Sequence, residues 1–279
     1  MAPAKKKTEV EEKTAKTKVD AKKAKEAVDK AIVAEVDEAA VRKEAARAKV
    51  AEKKPLSKRA ANKKVAEAIE AAAEGKLALD TEVDPALYAQ AAIEHPELLS
   101  LMVDALKGPS RRERQLSSLV IARVAKIDPT LLADSIPALV DALNRPEAQT
   151  RWETLEALYE MIPIDLAACK KGINAAEDSL YDEKSGVVRL AAFCFLCALG
   201  AQDKRTSKKV WPYIDEAIQC FHGDIEFQDM LNELVRFAEG NLHAEVKKAL
   251  ADRMRFDSES GFGFLKRKAT AIVQICEGK

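Results

Sequence analysis

Five aspartates recur at one interval. Asp104, Asp141, Asp178, Asp215 and Asp252 each lie 37 residues from the last. Apolar residues keep a fixed frame around them, at five and two positions before and two after: Leu99, Met102 and Leu106, then Ile136, Leu139 and Leu143, then Ile173, Ala176 and Leu180, then Val210, Tyr213 and Ala217. The fifth copy keeps Leu250 and Met254 but has Lys247 at the first position, with Val246 one residue earlier. Spacings of three and four put one apolar stripe along a helix. A period of this length means stacked helical units, none able to bury its apolar face alone.

The clearest copy is 131–162, a helix, a tight turn and a second helix. Its core SIPALVDALNRPEAQTRWETLEAL resembles a HEAT repeat: Pro-x-Leu in the first helix, a polar turn, then Arg with small and apolar residues in the second. The resemblance covers roughly 84–275. It implies an all-α fold, a right-handed α-α superhelix of about five HEAT-like helical hairpins. It also implies that second helices line a concave surface where partners sit.

The expected elements follow from caps and breakers. Asp84-Pro85 starts a cap helix over 85–94, with Asp as N-cap and Pro at the first helical position. His95-Pro96 restarts the chain, and repeat one takes 96–107 and 111–127 around Gly108-Pro109-Ser110. Repeat two takes 129–144 and 146–162, repeat three 166–182 and 185–199, repeat four 207–221 and 224–240. Repeat five takes 242–256 and 264–277, with Lys266, Arg267 and Lys268 facing solvent as suits a terminal repeat. Gly261-Phe262-Gly263-Phe264 reads either as a cap-closing turn or as a hydrophobic tip that meets a partner.

The chain is read in two parts, an Ala/Lys/Glu-rich leader over 1–76 and the solenoid over 77–279. The leader holds no Phe, Tyr or Trp, so it offers too little apolar area to offset ordering its backbone, and no packed core is expected in it. It is expected to be disordered or partly helical: a solitary charged or weakly coiled helix over 20–51, carrying Val28, Ile32 and Val36, and a short one over 57–73 with Ser57 as N-cap and Gly75 as stop. The formal charge of the whole chain is zero, yet 1–76 carries 21 Lys or Arg against 14 Asp or Glu, and the remainder 25 against 32. Its lysine clusters, Lys5–Lys7, Lys22–Lys25 and Lys53–Lys54, resemble the Ala-Lys-Pro tails of bacterial nucleoid proteins and linker histones, although those tails are nearly free of acid. Three roles stay open for it: a solvated leader, a nucleic-acid tether, or a protein-docking segment.

Three arginines, Arg114, Arg151 and Arg189, recur near the starts of second helices. The resemblance assigns them to bracing between repeats, which suits a planar fork serving two acceptors. Repeat four has Phe227 at the corresponding point, so the ladder is expected to stop after three rungs. The aspartate row, Asp104, Asp141, Asp178, Asp215 and Asp252, is expected to brace neighbouring repeats through hydrogen bonds or to be solvated; the alternative is an acidic recognition strip. The partner-facing candidates are Arg111 and Arg112 on one second helix and Trp152, Glu153, Glu156 and Glu160 on the next, a mixture of signs that suits a protein or peptide better than a phosphate backbone. Trp152 is equally readable as core.

No catalytic residues, cofactor or metal site are expected. Cys194 and Cys197 form a CxxC inside an apolar helical run rather than at a helix N-terminus, and Cys220-Phe221-His222 lacks a second ligand pair at zinc spacing. A base-excising enzyme on similar repeats needs a basic groove with converging aromatic and acidic residues, and the acidic body beyond residue 76 is wrong for it. Five irregularly spaced cysteines and the lack of a long apolar run point to a reducing, cytoplasmic compartment and no membrane span. The opening MAPAKKKTEVEEK has no apolar region behind its basic residues, so no signal peptide is expected. The function expected is a noncatalytic scaffold holding a protein or peptide; the alternative is association with nucleic acid through the leader. Oligomeric state is left open.

Overall fold

The computed structural model describes residues 56–278. The helix expected over 20–51 and the lysine clusters lie outside the described residues, as does the nucleic-acid tether they suggested. From Leu56 onward the chain forms one compact unit. Among the described residues there is no strand, and no helix is long and apolar enough to cross a membrane.

Helix α1 spans Lys58–Ala73. Ser57 caps it, its hydroxyl accepting from the Ala60 N–H at 3.3 Å, and Gly75 ends it in the left-handed region at φ 76°. Ala61, Ala68 and Ala72 share one face at helical spacing and are buried, with Val65 and Ile69 packed beside them. That face lies on the next two helices, α2 (Pro85–Glu94) and α3 (Pro96–Ala105). The expectation that 1–76 holds no core is therefore corrected for 56–76. Alanine side chains bury little area each, but they let the helix approach closely enough to cover Tyr88 and Leu98, both fully buried. Composition hid this because it measures area per residue, not closeness of approach.

The rest is a stack. Repeat one adds α4 (Arg111–Ile127). Repeat two has a 3₁₀ segment over Pro129–Ser135, then α5 (Ile136–Ala142) and α6 (Ala148–Met161). Repeat three has α7 (Leu166–Cys169), a 3₁₀ turn over Lys170–Gly172, α8 (Ile173–Leu180) and α9 (Gly186–Gln202). Repeat four has α10 (Lys204–Phe221) and α11 (Phe227–Glu239); repeat five has α12 (Ala244–Ser260) and α13 (Gly263–Glu277).

The early first helices are interrupted: at His95 between α2 and α3, over Lys170–Gly172 between α7 and α8, and in repeat two by a 3₁₀ segment, Pro129–Ser135, that leads into α5. Repeats one to three are thus three-segment units, and 85–94, expected as a separate cap, is the first segment of repeat one. In repeat four the same region runs unbroken, with Pro212 inside the helix. Its ring removes one backbone donor from α10.

The apolar frame around the aspartates forms the core. Leu99, Met102, Leu106, Ile136, Leu139, Leu143, Ile173, Ala176, Leu180, Val210, Ala217, Leu250 and Met254 are all buried; Tyr213 is half-buried, and Val246 takes the place that Lys247 could not. Second helices pack directly on one another in the order α4, α6, α9, α11, α13, whereas first helices meet their counterparts sparsely. The closely packed row is the inside of the curve and the sparse row the outside.

Because α1 closes the first repeat, a chain beginning at Leu77 should melt at a lower temperature than one beginning at Leu56. Equal melting temperatures by circular dichroism would contradict the assignment of α1 to the core.

Candidate functional site

One edge of the stack, where first helices turn into second helices, carries a continuous set of brackets. Arg114 at the start of α4 donates from Nη1 to the carbonyl of Gly108 in its own turn at 2.7 Å, and from Nε to Glu147 in the next turn at 3.2 Å, with Nη2 on the other carboxylate oxygen. Arg151 on α6 donates to the Asp182 carboxylate at 2.5 Å. Arg189 on α9 donates to the Asp182 carbonyl at 2.9 Å and to Glu226 at 3.4 Å, and lies 5.1 Å from the centre of the Phe221 ring. Asp182 thereby joins repeats two and three through both its side chain and its backbone. Gly186 lies beneath the third bracket, where an added Cβ would displace the Glu226 carboxylate from its present position.

The arginines end at Arg189 as expected, and a different contact continues the row where Phe227 stands. His222 Nε2 lies 3.1 Å from the Asp257 carboxylate, and Phe227 is buried with its ring tilted against that imidazole at 5.0 Å. The fourth bracket uses a different residue from a different element, which a search for recurring arginines misses. Further links lie elsewhere, among them Lys170 to Asp203 at 2.7 Å, Lys208 to Glu245 at 2.8 Å, and Arg253 to Asp215 through two bonds of 2.7 and 3.0 Å.

These brackets set the titration of their acids. The Arg114 hydrogen bond holds Glu147 below the usual carboxylate range. Burial pushes the Asp182 carboxyl up, but the Arg151 hydrogen bond and backbone N–H donors outweigh it and leave it lowered. Lys170 holds Asp203 well down.

The aspartate row is otherwise not an inter-repeat brace. Asp104, Asp141 and Asp178 are exposed, Asp141 meeting Arg145 of its own repeat at 3.5 Å, and the exposed Asp252 pairs with Lys248 and Arg255 of its own helix. Only Asp215 reaches the following repeat, through Arg253. The physical reason is the spread of the first helices on the outside of the curve, where a short carboxylate faces water rather than its neighbour.

The inner face carries a cleft of about 230 Å³ over α6, α9 and α11, with Lys126 of α4 at its side. Its floor is apolar and small: Leu155, Leu190, Ala191 and Cys194, with Val187 at the mouth and 51% exposed. Glu156, Glu160 and Glu233 line it. Burial, then the charges of Glu233, Asp229 and Glu156, push the Cys194 thiol up to about 12. Three carboxylates thus bear on the middle of the floor. The cations present are engaged: Lys126 pairs with Glu156, and Arg236 with Glu233 at 2.9 Å. Along the inner row the sign alternates. Helix α4 carries Arg111, Arg112, Arg114, Arg123 and Lys126 against Glu113; α6 and α11 together carry six acids against Arg151 and Arg236; α13 is basic again.

The structure separates the partner-facing candidates. Glu156 and Glu160 line this cleft. Arg112 lines another, of about 460 Å³, between α1, the segment 78–81 and α4, while Arg111 is exposed beside it. Trp152 is half-buried. Glu153 is corrected: it is buried on the packed side of α6, with Thr150, Thr154 and Ala157, and burial raises its carboxyl above the usual range. Sequence reasoning missed Leu190, Ala191 and Cys194, because the run LAAFCFLCAL reads as uniform core. It also missed Tyr159 and Glu233. Among the described residues no group of three or more His, Cys, Asp or Glu is placed to hold a metal ion.

No family model matches the sequence, and comparison with curated proteins gives no match. Solved structures do match. A designed armadillo repeat protein superposes with a TM-score of 0.59 at 14% identity, covering 75% of this chain and 99% of its own. The chain has an armadillo-like repeat fold. Another armadillo design, in complex with the peptide (KR)4, gives a TM-score of 0.57 at 15% identity, covering 68% of this chain and 85% of its own. A third, from armadillo repeat proteins computationally designed for modular peptide recognition, gives 0.57 at 14%, covering 78% and 94%. Identities this low carry the architecture alone.

The brackets predict an acid-sensitive fold. A carboxyl whose folded pKa is lowered stabilises above its unfolded pKa, and that stability is lost as pH falls through the folded value. Glu147→Gln should therefore flatten the acid limb of a stability–pH curve. At neutral pH it should cost about 3 kcal/mol, because Arg114 is left largely buried without its partner. A wild-type acid limb and melting temperature in the variant would contradict the bracket's role.

Proposed function

We propose that this chain is a noncatalytic interaction module that takes an extended segment of a protein partner along its inner face, centred on α6, α9 and α11. The observation that carries the reading is the small apolar floor of Leu190, Ala191 and Cys194 set among Glu156, Glu160 and Glu233. A segment with basic residues whose aliphatic stems lie on that floor satisfies both features, since Lys and Arg bury their methylenes while presenting charge at the tip. Arg111, Arg112 and Arg123 at one end, and Lys266 and Arg267 at the other, favour acidic residues in the flanks of the same segment. The armadillo design complexed with (KR)4 supports the reading by analogy of fold.

A second reading rests on the seven-charge excess of Lys and Arg over 1–76, which suits attachment to phosphates. The inner face does not share in it, because its centre is acidic.

The test uses the full chain with (KR)4 and with a Lys-Leu peptide of equal length, followed by fluorescence anisotropy across salt. Binding should weaken as salt rises, and Glu156→Gln with Glu160→Gln should reduce it about tenfold, as expected for two charge-assisted contacts. Loss of all binding to a mixed-sequence DNA duplex on removing 1–76, with neither peptide bound, would overturn this reading in favour of the second.

A further inference from the structure

Repeats of a solenoid touch only their immediate neighbours as a rule. One contact here breaks that rule. Tyr159 on α6 and Glu233 on α11 belong to repeats two and four, 74 residues apart, with α9 between them. The Tyr159 hydroxyl donates to Glu233 Oε1 at 3.2 Å. Arg236 Nη1 donates to Glu233 Oε2 at 2.9 Å and reaches the Tyr159 hydroxyl at 3.4 Å. The bridge is possible because the intervening residues of α9 are small: Ala191 and Cys194 leave room for two long side chains to meet above them.

All three residues of the bridge line the central cleft. Its parts are unequally held: the Glu233 side chain is 5% exposed, whereas that of Arg236 is 67% exposed. One side is a fixed, buried acceptor and the other a solvated arm that swings away at little cost.

We propose that Tyr159, Glu233 and Arg236 form a clasp across α9, and that a partner segment entering the cleft displaces it, so that occupancy of the inner face and its curvature are linked. The proposal rests on the reading of the inner face given above and adds its regulation. While the clasp is closed, the buried Glu233 carboxylate is satisfied internally and Cys194 is covered. When a basic side chain enters, it takes over Glu233, Tyr159 is released, and repeats two and four are free to separate. A residue that merely contacts the partner weakens binding when removed. A residue that competes with the partner does the opposite.

The experiment uses full-length protein carrying Cys220→Ser and Cys276→Ser, which removes the exposed and half-buried thiols other than Cys194. Alkylation by iodoacetamide is followed at Cys194, with the buried Cys169 and Cys197 as internal reporters of an intact fold. Tyr159→Phe deletes only the hydroxyl. It should speed alkylation of Cys194 about fivefold, the equivalent of one hydrogen bond, leave Cys169 and Cys197 unreactive, and tighten binding of the Lys-Leu peptide. An unchanged alkylation rate, or weaker peptide binding in the variant, overturns the clasp. Failure of the peptide to bind either protein overturns the reading of the face itself, and the alkylation rate still decides whether the bridge covers Cys194.

Discussion

The structure depends on one arrangement: second helices packed directly on one another, held in register by side chains that cross from each repeat to the next. Apolar burial supplies the attraction, but it is non-directional and would tolerate sliding and twisting between repeats. The brackets at the turn edge remove that freedom. Arg114 reads the positions of two turns at once, and Asp182 is read by arginines from two repeats. Where the arginine is missing, His222 meets Asp257, and buried Phe227 packs its ring against that imidazole.

The proposed function follows from what this arrangement leaves on the inner side. Stacking places α6, α9 and α11 side by side, so small residues on α9 become the floor of a cleft and acids on its neighbours become the walls. The same small residues let Tyr159 meet Glu233 over two repeats. Burial raises the Glu233 carboxyl, with the Arg236 charge acting against that shift. In the proposed clasp this buried carboxylate depends on one tyrosine and one solvated arginine and exchanges them for the partner's cation.

Much of this was legible in the sequence, because the period of the aspartates fixed the register of every apolar position in the first helices. Ser57 and Asp84 announced helix starts, each accepting a backbone N–H from the first turn, and Ser110, read only as part of a turn, does the same for α4. The arginines were visible as a series; their partners were not. Glu147, Asp182 and Glu226 sit at 33, 31 and 37 residues from them, too irregular to stand out. The aspartates that revealed the repeat proved mostly solvated, since a position can be periodic for what it avoids as well as for what it binds. The cleft was illegible for a related reason: Ala191 and Cys194 look like core until curvature sets them beneath an opening.

Partners are proposed to meet the chain on α6, α9 and α11. Hydrogen–deuterium exchange of the full-length protein, with and without saturating Lys-Leu peptide, tests it directly. Protection gained on binding should fall within 153–160, 187–198 and 229–236, with the outer helices α10 and α12 unchanged. Protection confined to the outer helices, or to the turn edge around Ile225 and Phe262, would contradict it.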